Sequence, residues 1–130
     1  MLLDHLILRV NDLPESLRFY TEVLGLSHDG ERDPFTVLRV TPDLTIQLAP
    51  WGTSGGEHLA FAMPRAEFEA VFRRIREGGI EFGDSFHSVG NGKGPGEEHG
   101  SHGSGASLYC FDPNRHLIEI RHYEEGGSTD

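Results

Sequence analysis

Apolar and polar residues alternate along two short segments that open in the same way, Asp4-His5-Leu6 and Glu57-His58-Leu59. A period of two residues is typical of β-strands, in which successive side chains point to opposite faces. The pattern predicts one strand over residues 3–10 and a second that starts at residue 57. In both strands the histidine lies on the face opposite the leucines, which are suited to packing in a core.

A segment with helical spacing follows each opening strand. Asn11-Asp12-Leu13-Pro14 offers a capping side chain and a proline in the first turn, and Gly25 is placed to end this helix. In the second half, Phe68, Val71 and Ile75 recur at helical spacing, and Gly78-Gly79 ends the pattern. The chain therefore places a helix after each of the two opening strands.

Further strands are predicted over residues 35–40, 44–49, 80–82, 106–111 and 116–123. The order β-α-β-β-β then occurs twice, and the fold class is α+β with two paired βαβββ modules. Module one covers residues 1–52 and module two residues 56–123 of a single domain over residues 1–123. Residues 124–130 are predicted to be a flexible tail.

Residues 83–105 are predicted to be a long loop, since eight of these 23 residues are glycine. Loops of this length are usually functional covers or disordered segments. The segment contains His87, His99 and His102. Two interpretations stand: a solvated flexible insertion, or a cover over the site that carries a proton-transfer group. A second loop is predicted over residues 27–34, and it includes His28.

Composition argues against several kinds of partner, against a membrane span and against cysteine cross-links. Eleven basic against 21 acidic residues give a net charge of −10, which repels nucleic acid and anionic membranes. No apolar run approaches the roughly 20 residues of a membrane span, and no basic signal-peptide start is present. Cys110 is the single cysteine, which excludes an intrachain disulfide and a zinc–thiolate knot. We expect a cytoplasmic protein whose partner is a small molecule.

Three residues are candidate metal ligands because each interrupts an apolar strand: His5, His58 and Glu119. Two imidazoles and one carboxylate bind first-row divalent metals, among them Fe, Mn, Co, Ni and Zn, and leave coordination positions open for chemistry. Taken singly, each residue has a plainer explanation, a histidine bonded to a backbone carbonyl or a solvated charge on an edge strand. Their matching places in predicted strands favour a shared metal site and hence an enzyme.

The chain resembles the vicinal oxygen chelate superfamily, which includes glyoxalase I, fosfomycin-resistance enzymes, methylmalonyl-CoA epimerase, bleomycin-resistance proteins and extradiol dioxygenases. The resemblance rests on Asp4-His5-Leu6, Phe19-Tyr20, Val23-Leu24-Gly25-Leu26 and the segment from Leu108 to Glu119. It implies a curved mixed β-sheet around a metal held by His5, His58 and Glu119. It also implies a homodimer, in which modules of the two subunits can pair so that His5 comes from the partner chain.

The C-terminal half resembles the extradiol dioxygenase signature most closely, in Gly100-Ser101-His102, Leu108-Tyr109, Asp112-Pro113 and Glu119. The signature has Gly or Pro at the position of Arg115. The resemblance implies an Fe(II)-dependent dioxygenase that acts on a catechol-like substrate with two vicinal oxygens. In this interpretation His102 is the acid–base catalyst, Tyr109 is the phenol near the substrate oxygen and Glu119 is an iron ligand.

Two alternative functions remain. The first is a non-oxidative metal-dependent lyase, isomerase or thiol transferase of the glyoxalase, epimerase or fosfomycin-resistance type. Gln47 bears on it, because its neighbours Ile46 and Leu48 match those of Glu119. It is a possible fourth ligand or substrate contact, or an amide that bonds a neighbouring strand. The second alternative is a metal-free drug-binding resistance protein.

Four more residues are possible substrate contacts. Arg9 and Arg121 share the ligand faces of their strands, so either is a candidate for binding a substrate carboxylate or phosphate, with a salt bridge as the equal alternative. Trp51 and Phe35 are candidate walls for a substrate ring, and ordinary packing or loop surface is the simpler explanation for each.

Overall fold

The computed structural model describes residues 1–123. The chain divides into two compact units, Met1–Ser54 and a second that begins at Gly55. The predicted tail, residues 124–130, lies outside the described residues. No helix in the described part of the chain is long and apolar enough to cross a membrane.

The first unit is a four-stranded mixed sheet with one helical segment. Its strands are β1 (His5–Arg9), β2 (Ser27–Arg32), β3 (Phe35–Thr41) and β4 (Leu44–Ala49), in the spatial order β1-β4-β3-β2. Strands β1 and β4 are parallel and the other pairs are antiparallel. Helix α1 (Leu13–Arg18) continues as a π-helical turn over Phe19–Val23.

The helix begins where the sequence predicts it. The side chain of Asp12 accepts a hydrogen bond from the Glu15 amide at 3.0 Å, which satisfies one of the donors that a helix N-terminus leaves unpaired. Pro14 follows in the first turn, and Gly25 takes a φ of 87° after the helical segment. Leu8 and Leu48, from the parallel strand pair, are buried in the core of this unit.

The second unit is a five-stranded mixed sheet with helix α2 (Arg65–Glu77). Its strands are β5 (His58–Ala62), β6 (Phe82–Gly83), β7 (Gly96–Gly100), β8 (Gly103–Phe111) and β9 (Leu117–Tyr123). Strand β9 lies between β5, its parallel partner, and β8, and both β6 and β7 pair with β8. Two such units with mixed sheets confirm the predicted α+β fold of βαβββ-like modules.

Helix α2 has a buried apolar face formed by Phe68, Val71 and Ile75, as the spacing predicts. It ends at Gly78 and Gly79, the second of which has a φ of 66°. Leu108 and Ile118 on β8 and β9 are fully buried. Since side chains alternate along a strand, the opposite face of the same strands remains for the polar residues.

Two predicted loops contain strands. Ser27–Arg32 forms β2, so His28 lies in a strand, and the prediction of a loop over residues 27–34 is wrong there. Every residue of β2 is exposed, so its sequence shows no alternation of apolar and polar residues that would predict a strand.

Within residues 83–105, β7 and the start of β8 form a hairpin with Ser101 and His102 at its turn. Glycine-rich sequence gives no strand signal, and pairing with β8 outweighs the low propensity.

The turn between β8 and β9 is organised by Asp112. Its Oδ1 accepts hydrogen bonds from the amides of Asn114 and His116, each at 2.8 Å, and its carbonyl accepts one from the Arg115 amide at 3.2 Å. Arg115 has a φ of 71°, in the left-handed region that favours glycine. This backbone conformation explains why the resembled signature has glycine as one of its two residues at this position.

Candidate functional site

Strand register in the second unit brings the predicted site residues onto one face. Ala60 of β5 lies opposite Glu119 of β9, and Tyr109 of β8 lies opposite the same glutamate. Paired residues share a face, and so do residues two apart along a strand. His58 and Arg121 therefore lie on the face that carries Glu119 and Tyr109.

Glu119 is the centre of a buried polar cluster and is only 5% exposed. Its Oε1 lies 3.1 Å from Nε2 of His58. Its Oε2 accepts two hydrogen bonds, from Oγ of Ser107 at 3.0 Å and from Nη1 of Arg121 at 2.9 Å. The two carboxylate oxygens therefore have different surroundings: one meets an imidazole whose side chain is 47% exposed, and the other meets two buried donors.

Arg121 is an internal ion-pair partner of Glu119 and is 4% exposed. Its Nη2 donates to the carbonyl oxygen of Glu98 at 2.9 Å, and its Cζ lies 4.7 Å from the ring centroid of Tyr123. Its Nε has no hydrogen-bond partner among the described residues. Arg121 therefore forms a buried salt bridge with Glu119 at 2.9 Å, and it also lines the cavity described below.

Tyr109 lies beside the same carboxylate, with its ring centroid 6.2 Å from that of His58. Burial, together with the smaller effect of the negative charges of Glu119 and Glu98, raises the pKa of Tyr109 to about 12. The side chain is therefore a neutral phenol at physiological pH, and it can donate a hydrogen bond or a proton.

A cavity of about 440 Å³ opens over this cluster. His102, at the hairpin turn, lines it, and its ring centroid lies 5.4 Å from that of Tyr123. The structure thus brings His102 to the same cavity as His58 and Glu119. The other lining residues come from β5, from the hairpin and from β9: Ala60, Ala62, His99, Gly100, Ser101, Arg121 and Tyr123.

Ser107, which donates to Glu119 from strand β8, is a site residue that the sequence pattern did not predict. A signal was present, since Ser107 stands two residues before Tyr109 and so shares its face. Glu98 is also absent from the predicted residues, because it lies in β7, a glycine-rich strand whose sequence gives no strand signal.

In the first unit, His5 and Gln47 line a larger cavity of about 690 Å³. Nδ1 of His5 lies 2.7 Å from Oδ2 of Asp4, and Gln47 lies on β4 opposite Ile7 of the parallel strand β1. Because His5 and Ile7 are two residues apart, His5 and Gln47 share a face. Phe35 also lines this cavity.

The remaining candidate contacts lie together in the first unit. The ring centroids of Phe35 and Trp51 are 5.5 Å apart in an edge-to-face arrangement. Cζ of Arg9 is 5.5 Å from the Trp51 ring, and its Nε donates to the carbonyl of Gly52 at 3.1 Å. Trp51 is about half exposed, so this aromatic pair offers an accessible surface.

The donor set fits a first-row divalent metal in part. His58 and Glu119 form a contiguous imidazole–carboxylate pair, a combination that such metals accept. Among residues 1–123, no group of three or more His, Cys, Asp or Glu side chains is placed to hold a metal ion. Two of the three predicted ligands therefore lie together, and His5 lies in the first unit.

Nearly the whole chain is similar to known proteins. Residues 2–120 match the Glyoxalase/Bleomycin resistance protein/Dioxygenase superfamily. The glutathione transferase FosA of Serratia marcescens is 27% identical over 125 residues, which are 91% of this chain and 78% of FosA.

Two solved structures are also similar. Oxidase ChaP-H1 has a TM-score of 0.81 and 28% identity, with 98% of this chain and 99% of that chain covered. The fosfomycin resistance protein FosX of Listeria monocytogenes, complexed with Mn(II) and sulfate, has a TM-score of 0.68 and 21% identity over 94% of this chain and 90% of that chain, a likeness of fold. As the sequence analysis predicted, the chain belongs to the glyoxalase/bleomycin resistance protein/dioxygenase superfamily.

Proposed function

We propose that the chain is a divalent-metal-dependent enzyme that acts on a small molecule with two neighbouring oxygen atoms. Fe(II) is the favoured metal, and oxidative cleavage of a catechol-like ring is the favoured reaction. The observation that carries this proposal is the shared cavity of His58, Glu119 and His102, which combines two candidate ligands with a second imidazole that can transfer protons. The similarity to oxidase ChaP-H1 supports the oxidative alternative.

The proposed metal ligands are His58, Glu119 and His5. His5 is supplied by the first-unit face, either of the same chain or of the partner in a homodimer. When bound, the ion supplies Lewis acidity and open positions for substrate oxygens. Ser107 and Arg121 occupy Oε2 of Glu119, so Oε1 is the oxygen available for coordination.

The proposed acid–base residues are His102 and Tyr109. An imidazole can both accept and donate a proton near neutral pH, and His102 reaches the cavity from a hairpin turn. Tyr109 keeps its proton, because its pKa is raised to about 12, and it donates a hydrogen bond to a substrate oxyanion. Phe35, Trp51 and Arg9 offer an aromatic and cationic wall for a ring.

The test is anaerobic loading of the protein with Fe(II), followed by oxygen uptake with a panel of catechols. Ring cleavage places both atoms of O2 in the product, so we expect one O2 consumed for each substrate and a new absorbance from the ring-opened product. No uptake with any catechol, in protein that retains Fe(II), would exclude the dioxygenase function.

A matched pair of variants tests the role of His102. His102→Asn is expected to lower kcat by about 10²- to 10⁴-fold, the usual contribution of a positioned acid–base group. His87→Asn is the control, because His87 lies in the same glycine-rich segment but packs against Phe86 and does not line the cavity. Equal activity of the two variants would contradict the assignment of His102.

A second candidate function is thiol transfer, which the similarity to glutathione transferase FosA favours. Gln47, on the same face as His5, is then the amide that contacts the metal or the substrate. Mn(II)-loaded protein incubated with glutathione and fosfomycin would form the adduct without consuming O2. If the wild-type protein binds no divalent metal, the result would instead favour a metal-free drug-binding protein.

A further inference from the structure

In the interior of the second unit, the buried guanidinium of Arg121 pairs with Glu119, a proposed metal ligand. We propose that Arg121 is a positioning residue that leaves Glu119 one oxygen for coordination and weakens the affinity of the site for divalent cations. The inference rests on the proposed metal site and adds a residue that tunes it.

Hydrogen bonding at Glu119 divides the two carboxylate oxygens. Oε2 accepts from both Arg121 and Ser107, at 2.9 and 3.0 Å. Oε1 lies 3.1 Å from Nε2 of His58, the other proposed ligand of the second unit. The metal would therefore bind on the Oε1 side of the carboxylate. Bidentate coordination would require Oε2 to give up both donors in a buried place, so a single coordinating oxygen is favoured.

Surrounding groups prevent the guanidinium of Arg121 from moving away. Its Nη2 is bound to the Glu98 carbonyl at 2.9 Å, and Tyr123 covers its plane. Gly100 completes the enclosure: a Cβ at that position would lie 2.5 Å from Cζ of Arg121 and 2.8 Å from its Nη1. The hairpin therefore approaches the arginine so closely that it requires glycine.

The charge of Arg121 acts on whatever binds at Oε1. A buried guanidinium is screened less than a surface one, and it repels a divalent cation that shares its carboxylate. The same contact draws electron density from Glu119 and makes it a poorer donor. A metal held here is therefore bound more weakly and is more electrophilic than one held by an unpaired glutamate.

The experiment measures Mn(II) and Co(II) affinity by competition with a chelator. Arg121→Met removes the charge at similar length, and we expect binding at least about tenfold tighter than in the wild type. Arg65→Met is the control, because Arg65 pairs with Glu69 at 3.1 Å on the exposed surface of α2, and its affinity should equal that of the wild type. Unchanged or weaker binding in folded Arg121→Met protein would overturn the inference, since a merely structural arginine would weaken binding when removed.

Arg121→Lys is a second variant with an independent readout. It keeps the charge but replaces the planar guanidinium by a point charge, so affinity should stay within about threefold of the wild type. The visible absorption of bound Co(II) should change, because a lysine ammonium cannot reproduce the geometry with which the planar guanidinium holds Oε2 of Glu119. An unchanged Co(II) spectrum would contradict the positioning role. Failure of the wild type to bind either ion would instead contradict the proposed metal site itself.

Discussion

Replacement of Glu119 by glutamine is expected to lower the stability of the metal-free protein by about 2–4 kcal/mol. Removing one partner of a buried ion pair typically costs about 3–5 kcal/mol, because the other charge remains buried without compensation. Here the uncompensated charge is that of Arg121, which is 4% exposed. The amide oxygen of glutamine can still accept one hydrogen bond, which places the estimate toward the lower end.

A double-mutant cycle isolates the pair. Glu119→Leu combined with Arg121→Met replaces two buried charges by apolar groups, a change that is often neutral or stabilising. We therefore expect the double variant to be more stable than Glu119→Leu alone, with a coupling energy of at least about 2 kcal/mol, within the range found for neighbouring residues.

The assay is urea denaturation followed by far-ultraviolet circular dichroism, with a chelator present so that only metal-free protein is compared. Glu69→Gln is the matched control, since Glu69 forms an exposed pair with Arg65 and its loss should cost less than about 1 kcal/mol. Equal losses for Glu119→Gln and Glu69→Gln, or additive effects in the cycle, would refute the description of a buried ion pair.

Three further predictions concern neighbouring positions. Gly100→Ala should destabilise the protein by about 1–3 kcal/mol in the same urea assay, because its Cβ would displace Arg121, and an unchanged midpoint would contradict that close approach. Cys110 should not react with a thiol reagent at pH 8 until urea unfolds the chain, since burial and the charge of Asp112 raise its pKa to about 12, and rapid labelling of native protein would contradict its burial. Tyr109 should ionise near pH 12 in an ultraviolet titration, with Tyr109→Phe as the control, and ionisation near pH 10 would contradict the raised pKa. Because its pKa is higher in the folded than in the unfolded chain, the stability that the neutral phenol contributes is present below pH 10 and is lost as the pH rises toward 12.

Local pattern predicted most of the elements that position the site. Alternation identified the strands of His5 and His58, because one face of each strand is buried and the other is not. The start of α1 followed from Asp12 and Pro14, whose local chemistry suits a helix N-terminus. In these places short-range preference and tertiary structure agree.

Other features depend on contacts that local pattern does not contain. Strands β2 and β7 are polar or glycine-rich, and each forms because a neighbouring strand, β3 or β8, supplies its hydrogen bonds. The ion pair between Arg121 and Glu119 depends on the hairpin that encloses the guanidinium, and local sequence pattern does not reveal that contact. The position of His102 at a hairpin turn over the cavity has the same origin.

The central claim is that His5, His58 and Glu119 hold one divalent metal. The most direct measurement is metal content by atomic emission after loading with Fe(II) under anaerobic conditions and gel filtration, for the wild type and for His5→Ala, His58→Ala and Glu119→Ala. We expect one ion per chain in the wild type and near-complete loss in each variant that remains folded. Wild-type protein without metal, or full occupancy in any one of the three variants, would contradict the account.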